Sequence, residues 1–284
     1  MRKQFFLIFS LLGLGFVLAS AQESILADRP LDNIFEKEHI ANKRPIPYPS
    51  LREADIVWSK RIWRIIDLRE KINLPLYYPT GETIDDRFSL IGLLLHGIQH
   101  EGLPAYATTD DEFKVMMGLD DVNQAMGATT ETQEVVNPET EEVQTMTVQR
   151  DVRVDEVKQI MVKEVWYFDK NYSRMDVRIL GLCPIREYVN ESGEVVKRQT
   201  FWIYYPEARD LLARYEVFNA TNDAQRRSFD DIFIKRYFGS YITQESNVYN
   251  NRPIENYAVG IDAALEAERI KNEIFNFEQD LWQY

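Results

Sequence analysis

Two histidines, His96 and His100, stand four residues apart in a segment whose apolar spacing predicts a helix. That spacing puts both imidazoles on one helix face, where they could bind a zinc ion. A zinc peptidase would have its catalytic glutamate directly after the first histidine, but this position is Gly97. Glu101 and His39 would complete a site only if the fold brought them close. We therefore favour ordinary histidines at a helix end, where the helix dipole stabilises positive charge, and keep a zinc-dependent periplasmic hydrolase as the alternative.

Other catalytic motifs are missing from the sequence. It has no nucleophile elbow, phosphate-binding loop or dinucleotide-binding glycine pattern. Acidic clusters such as Asp110-Asp111-Glu112 lack the alternating oxygen ligands and central glycine of a calcium loop. The sequence does not exclude a pair of carboxylates for sugar hydrolysis, because spacing in sequence does not determine spacing across a cleft. We predict no catalytic residue, metal site or cofactor.

Cys183 is the single cysteine, so an internal disulfide is excluded. It lies in an alternating run of apolar residues from Met175 to Ile185, which is typical of a strand with one buried face. Free cysteine is among the most buried residue types. We therefore predict a buried, unreactive thiol.

Composition and charge limit the class of partner. The 284 residues are 45% apolar and 12% aromatic, which is typical of an ordered globular protein. The net charge of −13 repels nucleic acid phosphates and anionic lipid headgroups. We therefore expect no nucleic acid partner.

The first 21 residues have the three parts of a secretory signal peptide. Arg2 and Lys3 supply positive charge, residues 5–18 are apolar, and residues 19–21, Ala-Ser-Ala, make a small-residue cleavage site. The apolar run is shorter than the roughly 20 residues needed to span a bilayer. We therefore predict a cleaved signal peptide over 1–21, rather than a signal anchor, and no direct membrane span in the exported protein.

The rest of the chain is predicted to have an α+β fold with three parts. Residues 22–50 form an extended Pro-rich arm, because proline disfavours helix interiors and central strands. Residues 51–257 form a core in which an antiparallel β-meander packs with several helices, and 258–284 form a C-terminal helix. The periodicity predicts helices over 50–73, 85–100, 207–214, 224–237 and from Ile261, a hairpin over 129–149, and strands over 158–169, 175–189 and 195–205.

Aromatic and arginine side chains are concentrated in 58–64, 166–168 and 201–205. Trp, Tyr and Arg are enriched at the energetic centres of protein interfaces, although a sheet covered on both faces would also account for the aromatic residues. On the predicted helix over 50–73, the arginines would form a basic face suited to an acidic partner. The candidate interface residues are Pro45, Pro47, Tyr48, Trp58, Arg61, Trp63 and Arg64.

Five long segments resemble the GldN/PorN family of gliding-motility and type IX secretion proteins. They are READIVWSKRIWRIIDLREK (52–71), PLYYP (75–79), KEVWYFD (163–169), WIYYPE (202–207) and FDDIFIKRYF (229–238). The similarity covers nearly the whole chain after the signal peptide.

This resemblance implies a non-enzymatic periplasmic component without known catalytic residues. The family pairs with the GldK/PorK-type outer-membrane lipoprotein in a ring under the outer membrane, and the GldM/PorM-type motor protein is expected to contact that ring. The expected partners are therefore these two proteins and further copies of the chain. The arm and the 52–72 segment would then contribute subunit contacts.

Overall fold

A computed structural model describes residues 42–81, 83, 87–136, 143–190, 192–222 and 224–281, with the backbone alone for 129–136 and 143–150. The predicted signal peptide and residues 22–41 of the predicted arm lie outside the described residues. The strands are β1 (Ile56–Asp67), β2 (Ala105–Tyr106), β3 (Met116–Met117), β4 (Thr129–Val136), β5 (Val143–Arg150), β6 (Val157–Asp169), β7 (Arg174–Val189), β8 (Val195–Gln199), β9 (Trp202–Tyr204), β10 (Glu216–Val217), β11 (Arg227–Ser228) and β12 (Tyr241–Glu245). The helices are α1 (Leu74–Tyr77), α2 (Leu90–His100), α3 (Leu119–Ala125), α4 (Tyr205–Arg214), α5 (Phe229–Ile234) and α6 (Ile261–Leu281).

An antiparallel sheet organises the fold. Its strand order is β12-β1-β6-β7-β9-β2-β3, and β8 pairs with the end of β7. Together with the helices this is the predicted α+β class, and the strands β6, β7 and β8 form the predicted meander. The third predicted strand is divided into β8 and β9 at the buried residues Thr200 and Phe201, although the N of Thr200 still donates to the O of Pro184 on β7 at 3.0 Å.

The helix predicted over 50–73 is wrong, because this segment contains the long strand β1. The capping signature at Ser50 and Glu53 begins only a 3₁₀ turn, Glu53–Asp55. Ile62, Trp63 and Ile66 are all buried, so the strand does not show the strict alternation that identifies a half-exposed strand. The spacing of its apolar residues therefore resembles that of a helix. Pairing with β6 and β12 nevertheless makes the segment a strand.

The other predicted elements are found with changed boundaries. Helix α2 begins later than predicted, where the Oγ of Ser89 accepts from the N of Gly92 at 3.1 Å. The segment 224–237 holds only the short helix α5, which begins at a capping box of Ser228 and Asp231. The hairpin β4–β5 and the C-terminal helix α6 are confirmed. No helix among the described residues is both long and apolar enough to cross a bilayer.

Three groups of buried side chains hold the elements together. The largest packs the sheet residues Ile160, Val162 and Leu182 against helices α2 and α4. A second group fixes α6 through Ile270 and Ile274. The third consists of Trp63, Cys183 and Trp202. Cys183 is fully buried, as predicted, and burial raises the pKa of its thiol.

Candidate interaction surface

The proline-rich segment 43–49 lies against its own chain. The ring of Tyr48 lies between two guanidinium groups, with the Cζ of Arg178 at 4.9 Å and that of Arg209 at 4.2 Å from the ring centroid. Arg178 is on β7 and Arg209 on α4. Cation–π contacts of this kind contribute about 0.5–2 kcal/mol each. Residues 43–49 of the predicted arm are therefore held on the core of their own chain.

Backbone and charged contacts attach the same segment at both ends. Arg178 Nη2 donates to the O of Pro49 at 2.6 Å, and Arg209 Nη2 donates to the O of Ile46 at 2.7 Å. Lys43 forms an ion pair with Asp231 on α5. Because the carbonyls of a proline-rich segment have no strand partner, these arginines satisfy them directly.

A buried charge pair supports this docking site from below. Arg209 Nε is 3.0 Å from Asp230 Oδ1, and both side chains are 6% exposed. The hydroxyl of Tyr205 donates to the same Oδ1 at 2.9 Å. Burial raises the pKa of Tyr205, as does the adjacent Asp230, so its hydroxyl keeps the proton that it donates. Burial also raises the pKa of Tyr48, although Arg209 opposes this shift.

The outer side of the segment 43–49 faces solvent. Pro47 and Pro49 are exposed, and Ile46 is 72% exposed. Pro45 and Tyr48 are half-buried, since they lie closer to the core. The segment therefore presents exposed apolar side chains to solvent, and the contacts with Arg178 and Arg209 determine its position.

The four candidate residues on β1 do not form a shared basic face. On a strand, alternate side chains point to opposite faces, so Trp58 and Arg64 are on one face and Arg61 and Trp63 on the other. Trp58 stacks on Phe277 of α6 at 4.7 Å. Arg61 is exposed, whereas Trp63 is only 2% exposed and belongs to the core of its own chain.

Arg64 is used in a buried charge network around Glu164. The side chain of Glu164 is fully buried and forms ion pairs with Arg64 and with Arg236, whose Nη1 is 2.8 Å from Oε2. Trp166 Nε1 donates to Oε1 at 2.8 Å. The network joins β1, β6 and the segment after α5, so it holds these three parts of the chain together.

A second buried charge lies on the other face of β6. Lys163 is 3% exposed, and its Nζ donates to the O of Asp111 at 2.6 Å. The Nζ is 5.6 Å from the ring centroids of both Trp63 and Phe113. Gly181 leaves the space for this arrangement, since a Cβ there would lie 2.6 Å from the ring of Phe113. Lys163 thereby holds the loop between β2 and β3 onto the sheet.

The predicted histidine pair lies at the end of α2 among aromatic rings. The rings of His96 and His100 are 4.9 Å apart, and Phe88 and Tyr215 pack against His96. Among the described residues, no group of three His, Cys, Asp or Glu side chains is placed to hold a metal ion. His39 lies outside the described residues.

The residues that position Tyr48 are not singled out by sequence reasoning. Arg178 is 130 residues from Tyr48 in sequence, and no local pattern connects them. Arg209 carries a weak signal, because it falls on the apolar face of α4 with Tyr205, Ala208 and Leu212. An arginine at a core position of a helix indicates a buried acidic partner, which here is Asp230.

Tyr48→Ala tests whether the segment 43–49 is attached through this ring. We expect the free energy of unfolding to fall by about 2 kcal/mol, because two cation–π contacts and the buried area of the ring are lost. A lysine-specific protease should then cleave after Lys43 faster. Ile46→Ala is the control, since it keeps the carbonyl bound by Arg209 and removes an exposed side chain, and should change stability by less than about 0.5 kcal/mol. Equal effects of the two variants would contradict this role for Tyr48.

Comparison with known proteins finds one family model, described as gliding motility associated protein GldN, that matches residues 51–283. This span begins just after the docked segment and includes every strand and helix named above. No curated protein matches the chain.

Proposed function

Because the chain belongs to the GldN family, we propose that it is a non-enzymatic structural subunit of the machinery for gliding motility and type IX protein secretion. Membership of this family implies involvement in those two processes. The observation that carries the proposal is the family match, which spans the complete fold instead of one motif or one domain.

The buried ionisable groups support a structural role. Glu164, Lys163 and Arg209 are the kinds of residue that an enzyme could use as acid, base or anion site. Each of them is instead satisfied by partners within the chain that join distant segments. Burying charges is costly unless they are paired, and these pairs hold strands, loops and the segment 43–49 in place.

The proposed location is the periplasm, in association with the outer membrane through a lipoprotein partner. The signal peptide predicted over 1–21 would direct export. There the chain would pair with the GldK/PorK-type lipoprotein and with further copies of itself in a ring, and the ring would contact the GldM/PorM-type motor protein. Among the predicted contact residues, Pro47 on the outer side of the segment 43–49 and Arg61 on β1 are exposed.

Co-expression of the mature chain with a GldK/PorK-type lipoprotein tests this function. We expect a large assembly in which the two proteins co-elute and no metal is bound, measured by light scattering and metal analysis of the purified material. A monomer with stoichiometric zinc would overturn the proposal and direct mutagenesis to His96. Deletion of residues 24–48 in the same assay should weaken co-elution, and unchanged co-elution would show that the arm makes no subunit contact.

A further inference from the structure

The strand β8 has an open edge. One side pairs with β7, from Ile185 opposite Gln199 to Val189 opposite Val195. Its other side has no strand partner among the described residues. Val195 is 62% exposed, and Lys197 and Arg198 are exposed as well. An exposed strand edge is a template on which another strand can pair.

The hydrogen bonds at both ends of β8 determine which main-chain groups point outward. Thr200 N donates to Pro184 O at 3.0 Å, and Glu194 O accepts from Asn190 N at 2.9 Å, so these two residues face β7. Because residues in an antiparallel pair alternate between facing the partner and facing away, the N–H and C=O groups of Val195, Lys197 and Gln199 point to the open side. Three outward donors and three outward acceptors are thus available for an added strand.

The hairpin β4–β5 is a strand pair without support from a larger sheet. Its eight-residue strands pair with each other, from Thr129 opposite Arg150 to Val136 opposite Val143, and with no other described strand. An isolated two-stranded hairpin is marginally stable in water. The strands are rich in threonine and valine, which favour a sheet. Pairing with the edge of another sheet would stabilise the hairpin.

Charge complementarity connects these two features. The strand β4 carries Glu131 and Glu134 and no basic residue, whereas β8 carries Lys197 and Arg198 and no acidic residue. Opposite charges on neighbouring strands stabilise pairing, and like charges oppose it. The strand β12 also lies at an edge of the sheet, but it carries Glu245 and no basic residue. The edge of β8 is therefore the better acceptor for β4.

We propose that β4 of one copy pairs with the open edge of β8 of the next copy. This inference rests on the proposed function, since it supplies the contact between copies in the ring. The two surfaces are different parts of the chain, so each subunit has one donor hairpin and one acceptor edge. A heterologous contact of this kind repeats from copy to copy and closes into a ring when the rotation per subunit allows. The two copies would bind by the addition of a strand of one copy to the exposed sheet edge of the other.

Val195→Pro in the chain co-expressed with the lipoprotein tests the contact. Proline removes an outward N–H and adds bulk at the edge, but leaves the bonds to β7 in place. We expect the variant still to bind the lipoprotein, in small complexes instead of a large assembly, with contacts between copies weakened by about tenfold or more. Val195→Thr keeps the N–H and the β-branched shape, so it should assemble like the unchanged chain. Circular dichroism and the melting temperature check that each variant is folded.

Charge reversal provides a second test that does not depend on proline. Lys197→Glu with Arg198→Glu should disrupt the large assembly, and Glu131→Lys with Glu134→Lys in the same chain should restore it to within about threefold. An assembly of unchanged size in the folded Val195→Pro and charge-reversed variants would overturn the inference and leave the proposed function standing. Loss of the lipoprotein from these variants would also overturn it, because the edge would then bind the lipoprotein. If the unchanged chain formed no large assembly, the proposed function itself would fail.

Discussion

Glu164→Ala lowers the free energy of unfolding by about 3–5 kcal/mol, which is the expected cost of removing one partner from a buried ion pair. The carboxylate is fully buried and accepts from Arg64, Arg236 and Trp166. Its removal leaves two guanidinium groups and an indole N–H without their acceptor. The side chain of Arg64 is 12% exposed, so water replaces the lost partner poorly. Chemical denaturation of the purified mature chain measures the change.

Glu266→Ala is the matched control for this prediction. Glu266 on α6 also pairs with an arginine, Arg269 at 2.8 Å, but the side chain of Arg269 is 52% exposed. Exposed helix pairs contribute about 0–1 kcal/mol, because solvent screens both charges. If the two alanine variants lowered the free energy of unfolding by the same amount, the buried network around Glu164 would contribute no more to stability than an exposed ion pair.

Trp63→Ala is expected to destabilise the isolated chain by about 3–5 kcal/mol. The indole is 2% exposed and packs with Cys183 and Trp202, so its removal leaves a large cavity. The indole Nε1 also donates to Asp111 Oδ2 at 2.8 Å, and this contact helps to hold the loop that covers Lys163. We expect a lower melting temperature and faster hydrogen exchange in the loop between β2 and β3.

Arg61→Ala separates a core role from an interface role. Arg61 lies two residues before Trp63 on the same face of the strand, but it is exposed, so its removal should change the stability of the isolated chain by less than about 0.5 kcal/mol. If Trp63→Ala left the isolated chain as stable as before and impaired only its assembly with the lipoprotein, Trp63 would be an interface residue and not a core residue.

The elements that depend on local sequence could be predicted. Alternation, turn residues and helical spacing within each segment predicted the α+β class, the strands β6 and β7, the hairpin β4–β5 and the C-terminal helix. The burial of Cys183 follows from the same alternation. The resemblance to the GldN family was also readable from sequence, because it rests on long continuous blocks, and the match over 51–283 confirms it.

The tertiary structure decided the features that depend on distant partners. The segment 56–67 is a strand because β6 and β12 pair with it, although its apolar spacing within the segment resembles a helix. The docking of Tyr48 depends on Arg178 and Arg209, which are far away in sequence. Hydrogen bonds between strands and pairs of buried charges act through space, so their free energy is gained only when the fold brings both partners together. Local sequence thus determined most of the elements, and the pairing of distant residues determined which side chains are buried and which stay exposed.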